Sequence, residues 1–145
     1  MIKLKILKSL LIALFFLLKS NYVLSNDEFK IEAEKIQYID NNKTIIAIGN
    51  AIASNQLGYK VSSNKIIYYK DKDLIHTYNN SKYEDGINII TAKSFKYDLK
   101  IKSIEAQKNV ILIDGEKNKF SFDFFKYFIE SKKGYGENGE IENFY

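Results

Sequence analysis

The sequence predicts an all-β fold: an antiparallel sheet of about eight long strands, built from ~30-residue repeats and bent along a crease. Three observations predict it. The first is a period: Tyr38, Tyr68, Tyr97 and Tyr127 recur at spacings of 30, 29 and 30, and Asn50, Asn80 and Asn109 recur in phase at 30 and 29. Apolar residues stand two before each Tyr (Ile36, Ile66, Phe95, Phe125) and seven before it (Ile31, Val61, Ile90, Phe120). A repeat of this length is one supersecondary unit that buries its apolar face against its neighbours. The second is the absence, after Asn26, of a sustained helical period, with short β-branched and aromatic runs in its place. The third is a switch of parity. Ile31 and Ala33 share one face by strict alternation, whereas Ile36 and Tyr38 share the other. Val61/Ser63 then Ile66/Tyr68, and Ile90/Ala92 then Phe95/Tyr97, repeat the switch. A strand that passes a bend or bulge keeps its apolar side inward by such a switch, and its recurrence predicts two facing halves.

The strands follow in order from the turn chemistry. The first runs from near Phe29 to Ile39 and ends at Asp40-Asn41-Asn42-Lys43. The second carries Ile45 and Ala47 and ends at Asn55-Gln56-Leu57-Gly58; the third ends at Asp71-Lys72-Asp73 and the fourth at Glu84-Asp85-Gly86. The fifth ends near Leu99-Lys100, a turn placed by repeat phase alone. The sixth ends at Asp114-Gly115-Glu116-Lys117-Asn118, and the seventh at Lys133-Gly134, after which the last strand runs toward Tyr145. Asn, Asp and Gly tolerate the positive φ that tight hairpins need. The even strands add the inward columns Ile45/Ile75/Ile104 and Ala47/Thr77/Ala106, whose small second members should leave room inside.

The N-terminus is a separate object. Lys3, Lys5 and Lys8 precede an apolar run from Ser9 to Leu18, and Val23-Leu24-Ser25 supplies residues a signal peptidase accepts. Residues 1–25 therefore read as a signal peptide and residues 26–145 as one domain, truncated or not at its C-terminus. An uncleaved membrane anchor is the alternative, although a spanning helix needs about 20 apolar residues, roughly twice the clean run here.

All 22 basic residues are lysine, and four of them lie in that leader, leaving 18 against 18 acids. The overall +4 is thus no nucleic-acid signal, and the lack of Arg removes the side chain best suited to guanine and phosphate. With no cysteine, stability must come from sheet packing or from neighbouring molecules. His76 is the single histidine, has no Cys partners, and shares a column with Ile46 and Glu105, so it reads as a half-exposed strand residue and not a ligand. No phosphate loop or nucleophile elbow is present, and the carboxylates are dispersed. The residues point to no enzyme, no metal and no cofactor.

Ile31-Glu32-Ala33-Glu34-Lys35-Ile36-Gln37-Tyr38-Ile39-Asp40 followed by Ala47-Ile48-Gly49-Asn50-Ala51 resembles the opening of the OstA-like family. These are the LptA-like and LptD N-terminal β-jellyroll domains of lipopolysaccharide transport, found in a soluble periplasmic bridge protein and in an outer-membrane assembly protein. Ile90 to Asp98 and Ala106 to Leu112 repeat the two motifs in degraded form, and Ile111 to Gly115, with Phe122-Asp123-Phe124, is more similar to the assembly protein. The resemblance covers residues 31 to about 134. That assembly protein continues into a large membrane barrel with linking cysteines, so this chain reads either as a short stand-alone member or as the N-terminal piece of a longer reading frame.

The resemblance implies a non-enzymatic antiparallel β-jellyroll that holds the acyl chains of lipid A in an apolar groove and hands lipopolysaccharide toward the outer membrane. It places the module in the periplasm, with other jellyrolls added at its edge strands and an outer-membrane assembly barrel as a further partner. The candidate groove residues are Ile36, Tyr38, Ile45, Ala47, Ile66, Tyr68, Ile75, Phe95, Tyr97, Ile104 and Phe125. Two alternatives stay open: an inner-membrane-anchored jellyroll of the same system, and a structural β-repeat or surface module with no lipid ligand.

Overall fold

The computed structural model describes residues 29–142. The leader, its cleavage site and the last three residues lie outside them. Twelve strands form one antiparallel sheet: β1 (Lys30–Glu32), β2 (Lys35–Ile39), β3 (Thr44–Ser54), β4 (Lys60–Tyr69), β5 (Leu74–Tyr78), β6 (Ser81–Glu84), β7 (Ile89–Ala92), β8 (Ser94–Asp98), β9 (Ser103–Ile113), β10 (Lys119–Phe128), β11 (Lys133–Glu137) and β12 (Glu140–Glu142). They are the eight expected strands, since β1–β2, β5–β6, β7–β8 and β11–β12 are single long strands interrupted at the bend. Every long strand pairs with its neighbours in the chain.

The crease divides the sheet into two halves. The upper half holds β2, β5, β8 and β11 with the adjoining parts of β3, β4, β9 and β10; the lower half holds β1, β6, β7 and β12 with the remaining parts. Between Ala47 and Ala51 the even strand takes one residue more than its partner between Ser63 and Ile66, and the register shifts there. The extra length is absorbed by left-handed backbone at Gly49-Asn50, Asn79-Asn80, Lys108-Asn109 and Asn138. This explains the Asn column: of the non-glycine residues, Asn adopts positive φ with the least strain. At Gly49 a side chain would also overlap the Glu34 carboxylate, which receives the Asn50 amide at 2.7 Å. Main-chain bonds cross the bend from Glu34 to Gly49, Asn64 to Asn79, Asn79 to Lys93 and Lys93 to Lys108.

Size sorts with depth. Next to the crease the lower half presents Ala33, Ala51, Ser63, Ser81 and Ala92, and the upper half alternates large with small: Ile66 lies in register between Ala47 and Thr77, and Ala106 lies between Phe95 and Phe125. The small column does not leave room as the sequence pattern implied. Ala47, Thr77 and Ala106 are 0–1% exposed, and their bulk is replaced by that of the larger neighbours on either side.

One turn differs from expectation. The seventh hairpin turns over 129–132, with Lys132 at φ 55°, and Lys133-Gly134 already belongs to β11. Gly134 is there because a Cβ would overlap the Phe125 ring and the Lys126 carbonyl, not because the chain turns. The turn after β8, placed by phase alone, is confirmed: Asp98 Oδ1 accepts the amides of Lys100 and Ile101.

Candidate functional site

All eleven candidate residues fall on the inner face of the upper half, in two rows. The row beside the crease contains Ile36, Ala47, Ile66, Phe95 and Phe125; the row toward the mouth contains Tyr38, Ile45, Tyr68, Ile75, Tyr97 and Ile104. The mouth is the side where the free hairpin ends of the two halves meet. Within the mouth row the cross-strand pairs are Tyr38 with Ile45, Ile45 with Tyr68, Tyr68 with Ile75, Ile75 with Tyr97 and Tyr97 with Ile104. Aromatic and β-branched side chains directly opposite each other pack well on a pleated face. The opposite wall, which the candidate set did not include, is Ala53, Val61, Tyr83, Ile90 and Val110, all buried. The signal for it was present, since Val61 and Ile90 belong to a periodic column.

Exposure changes along the mouth row. Tyr38 is 58% exposed and Tyr68 is half-buried, whereas Tyr97 and Tyr127 are each 2% exposed. Ile36 is half-buried and the other candidates are buried. The gradient arises because the halves cross at an angle. Phe29, at the start of the lower half, packs edge-on against Tyr97 of β8 at 5.6 Å, and Tyr83 of β6 contacts both Tyr97 and Tyr127. The lower half is thus displaced toward later strands at mouth level and covers the C-terminal part of the row.

At that covered end two features close the interior. Phe122 stacks on Phe125 at 4.9 Å, and the inward positions of the last strand are Gly134 and Gly136, where any side chain would strike these rings. Beside them lies a polar cluster that sequence reasoning read only as turn chemistry. Asp85 divides its carboxylate: Oδ1 accepts the amides of Ile87 and Asn88 in its own turn, and Oδ2 accepts the Tyr127 hydroxyl at 2.9 Å and Lys132 Nζ at 2.7 Å from the other half. Asn88 Nδ2 donates to the same Tyr127 oxygen at 2.7 Å, and Lys132 lies over the Tyr59 ring. The Asp85 side chain has no exposed surface. Burial pushes its carboxyl up, but the Asn88 amide, Lys132, the Ile87 amide and the Tyr127 hydroxyl together outweigh burial and hold it below its ordinary value. The Tyr83 hydroxyl is pushed well above the usual phenol range by burial, then by Asp85.

The outer face carries His76 between Tyr69 and Tyr78, with Nε2 buried and unpartnered. Burial, then Lys96 and Lys72, lower its affinity for a proton. Its imidazole is expected to titrate below 6.5 by NMR. Because the folded state disfavours the proton, this group contributes stability above its ordinary pKa that is lost as pH falls through the folded value. His76→Gln should therefore gain on the wild type as pH drops below about 6.5. Equal pH profiles would contradict the buried placement. Among the described residues no group of three or more His, Cys, Asp or Glu is arranged to hold a metal ion.

Comparison with solved structures finds the same architecture in LptH, the LptA-homologous periplasmic component of the lipopolysaccharide transport device of Pseudomonas aeruginosa. The TM-score is 0.73, over 80% of this chain and 94% of that one, at 11% sequence identity. At that identity the likeness is one of fold, and it is the β-jellyroll that the sequence resemblance implies. No protein-family model and no curated protein sequence matches the chain.

Proposed function

We propose that this chain is a non-enzymatic periplasmic module that shields the acyl chains of lipopolysaccharide and passes them toward the outer membrane. The observation that carries this is the pair of inward rows, predominantly apolar from β2 to β10 and faced by a second apolar wall, in the fold it shares with LptH. Water-exposed acyl chains are unfavourable by about 0.8 kcal/mol per CH₂, so an amphiphile with several chains crosses an aqueous space only if covered. A repeat offers many equivalent weak contacts in line, which suits movement better than one tight pocket. The headgroup would stay at the mouth, where Tyr38 and the lysines of the hairpin turns, Lys43, Lys72 and Lys100, are exposed to water.

The edges suit continuation of the groove by other jellyrolls. β1–β2 at one edge and β11–β12 at the other each have a single paired neighbour among the described strands, and a second jellyroll, or the outer-membrane assembly barrel's own jellyroll, would add there by β-augmentation. Tyr38 and Ile36, at the N-terminal edge, are the interior residues such a docking would cover.

Photo-crosslinking tests the reading. A benzophenone amino acid at Tyr38, Tyr68 or Phe95 changes an aromatic for an aromatic, and Gln37 is the outward control. Lipopolysaccharide adducts are expected at the three inward positions and not at Gln37. A folded protein with no adduct anywhere would sink the proposal in favour of a structural repeat, and equal labelling at Gln37 would show that the bound face is not the interior.

A further inference from the structure

We propose that Asp85, Asn88, Tyr127 and Lys132 form a latch across the mouth, and that acyl chains pass the C-terminal end of the interior only when it opens. The inference rests on the lipid-shielding reading and adds a moving part to it. At this end the rows are sealed: Tyr83, Tyr97 and Tyr127 are 0–2% exposed, and Ile104 and Ala106 behind them are 0% exposed. No acyl chain enters there without the halves parting.

The halves are continuous at the crease, so the mouth is where they can separate. The crease concentrates left-handed backbone at Asn79-Asn80, Lys108-Asn109 and Asn138, a line of positions where a modest change of φ and ψ tilts one half against the other. Opposite that line, two turns meet. One is the lower turn after β6, carrying Asp85 and Asn88; the other is the upper turn after β10, carrying Lys132.

The chemistry of the contact suits repeated opening. A seam meant to stay shut would be better filled with apolar side chains, because a buried ion pair gains little over them. Here Asp85, Asn88, Lys132 and the Tyr127 hydroxyl are polar and regain water when they part, while the ring contacts of Tyr83 and Phe29 with Tyr97 and Tyr127 lie beside them. The divided carboxylate matters as well. Oδ1 keeps the 85–88 turn folded through two amides, so opening breaks the Oδ2 contacts to Tyr127 and Lys132, the Asn88–Tyr127 bond and the Lys132–Tyr59 contact, and leaves the turn intact. The latch therefore releases without unfolding the loop that carries it.

If ligand binds only the open form, holding the mouth shut slows uptake and releasing it speeds uptake. The chain has no cysteine, so a pair can be introduced cleanly. Ile87→Cys and Ser131→Cys flank the latch on its two turns and replace none of its four residues. Joined by a short, reducible bis-methanethiosulfonate linker, they should slow uptake of fluorescent lipopolysaccharide about tenfold, with recovery on adding reductant. Lys132→Met, with folding checked by circular dichroism, should accelerate it several-fold. A linked protein that loads at the unlinked rate overturns the latch. A ligand-free measurement separates this from failure of the lipid reading: maleimide labelling of the buried thiol in Ala106→Cys should quicken about tenfold when Lys132→Met is added. Unchanged labelling overturns the latch even if lipopolysaccharide binds. Quickened labelling in a protein whose wild type takes up no lipopolysaccharide overturns the passage of lipid and the function it rests on.

Discussion

Gly134→Leu should lower the midpoint of thermal unfolding by roughly 10 °C, through overpacking of about 2 kcal/mol, and should remove hydrogen-exchange protection from Lys133 to Glu137. The Phe125 ring and the Lys126 carbonyl occupy the space a side chain needs at this position, and Phe122 occupies the space at Gly136. Phe125 cannot swing aside easily, being stacked on Phe122 and on Tyr127. The strain is relieved by displacing the edge strand that carries the substitution, β11, which among the described strands pairs with β10 alone. Tyr135→Ala, on the outer face of the same strand and 54% exposed, should shift the midpoint by less than a third as much. Equal effects from the two substitutions, or full protection of β11 in the leucine variant, would contradict the packing described.

Asp85→Ala is expected to cost about 2–3 kcal/mol at neutral pH, and chemical denaturation of wild type and variant side by side measures it. The substitution strands two amides in the turn, the Tyr127 hydroxyl and Lys132 at once. The figure sits at the low end for a broken buried pair because Lys132 keeps about a third of its side chain in water. The pH dependence follows from the carboxyl being held below its ordinary value of 3.8. The folded state then favours the carboxylate, so its stabilisation is complete above that value and disappears as pH falls through the lower, folded pKa. The gap between wild type and Asp85→Ala should narrow steadily below about pH 4. A gap that stays constant down to pH 2 would show that the carboxylate is not what holds the two turns together.

Most of the fold was legible because the repeat states it several times. Four tyrosines in phase fixed the number of units, and the switch between Ala33 and Ile36, Ser63 and Ile66, Ala92 and Phe95 gave the bend, since an alternating strand has no other way to keep both parts inward. The inner face of the upper half was legible for the same reason. The Asn column was seen as a repeat marker, but its cause, left-handed backbone in the even strands, needed the register between neighbours. What escaped was everything that departs from the repeat. Gly134 looks like a turn residue in a string of letters, because turns and close approach of a ring use glycine for different reasons that leave the same mark. Asp85 looks like a hairpin aspartate, which it is through one oxygen. Its second oxygen meets Tyr127 and Lys132, 42 and 47 residues away, and that depends on the angle at which the halves cross.

The agreement between spatial order and chain order has a consequence for how the molecule comes into being. Each long strand pairs with the one made just before it and the one made just after, so sheet assembly requires only short loop closures and can start at any hairpin. Contacts between the halves are another matter: Phe29 must find Tyr97, and Asp85 must find Lys132, across many intervening residues. Refolding should therefore divide into a fast phase that builds the bent ribbon and a slower one that docks its two faces. The half-built species would be an open sheet with its apolar rows bare, the form most prone to aggregate and the one that a chaperone would meet first.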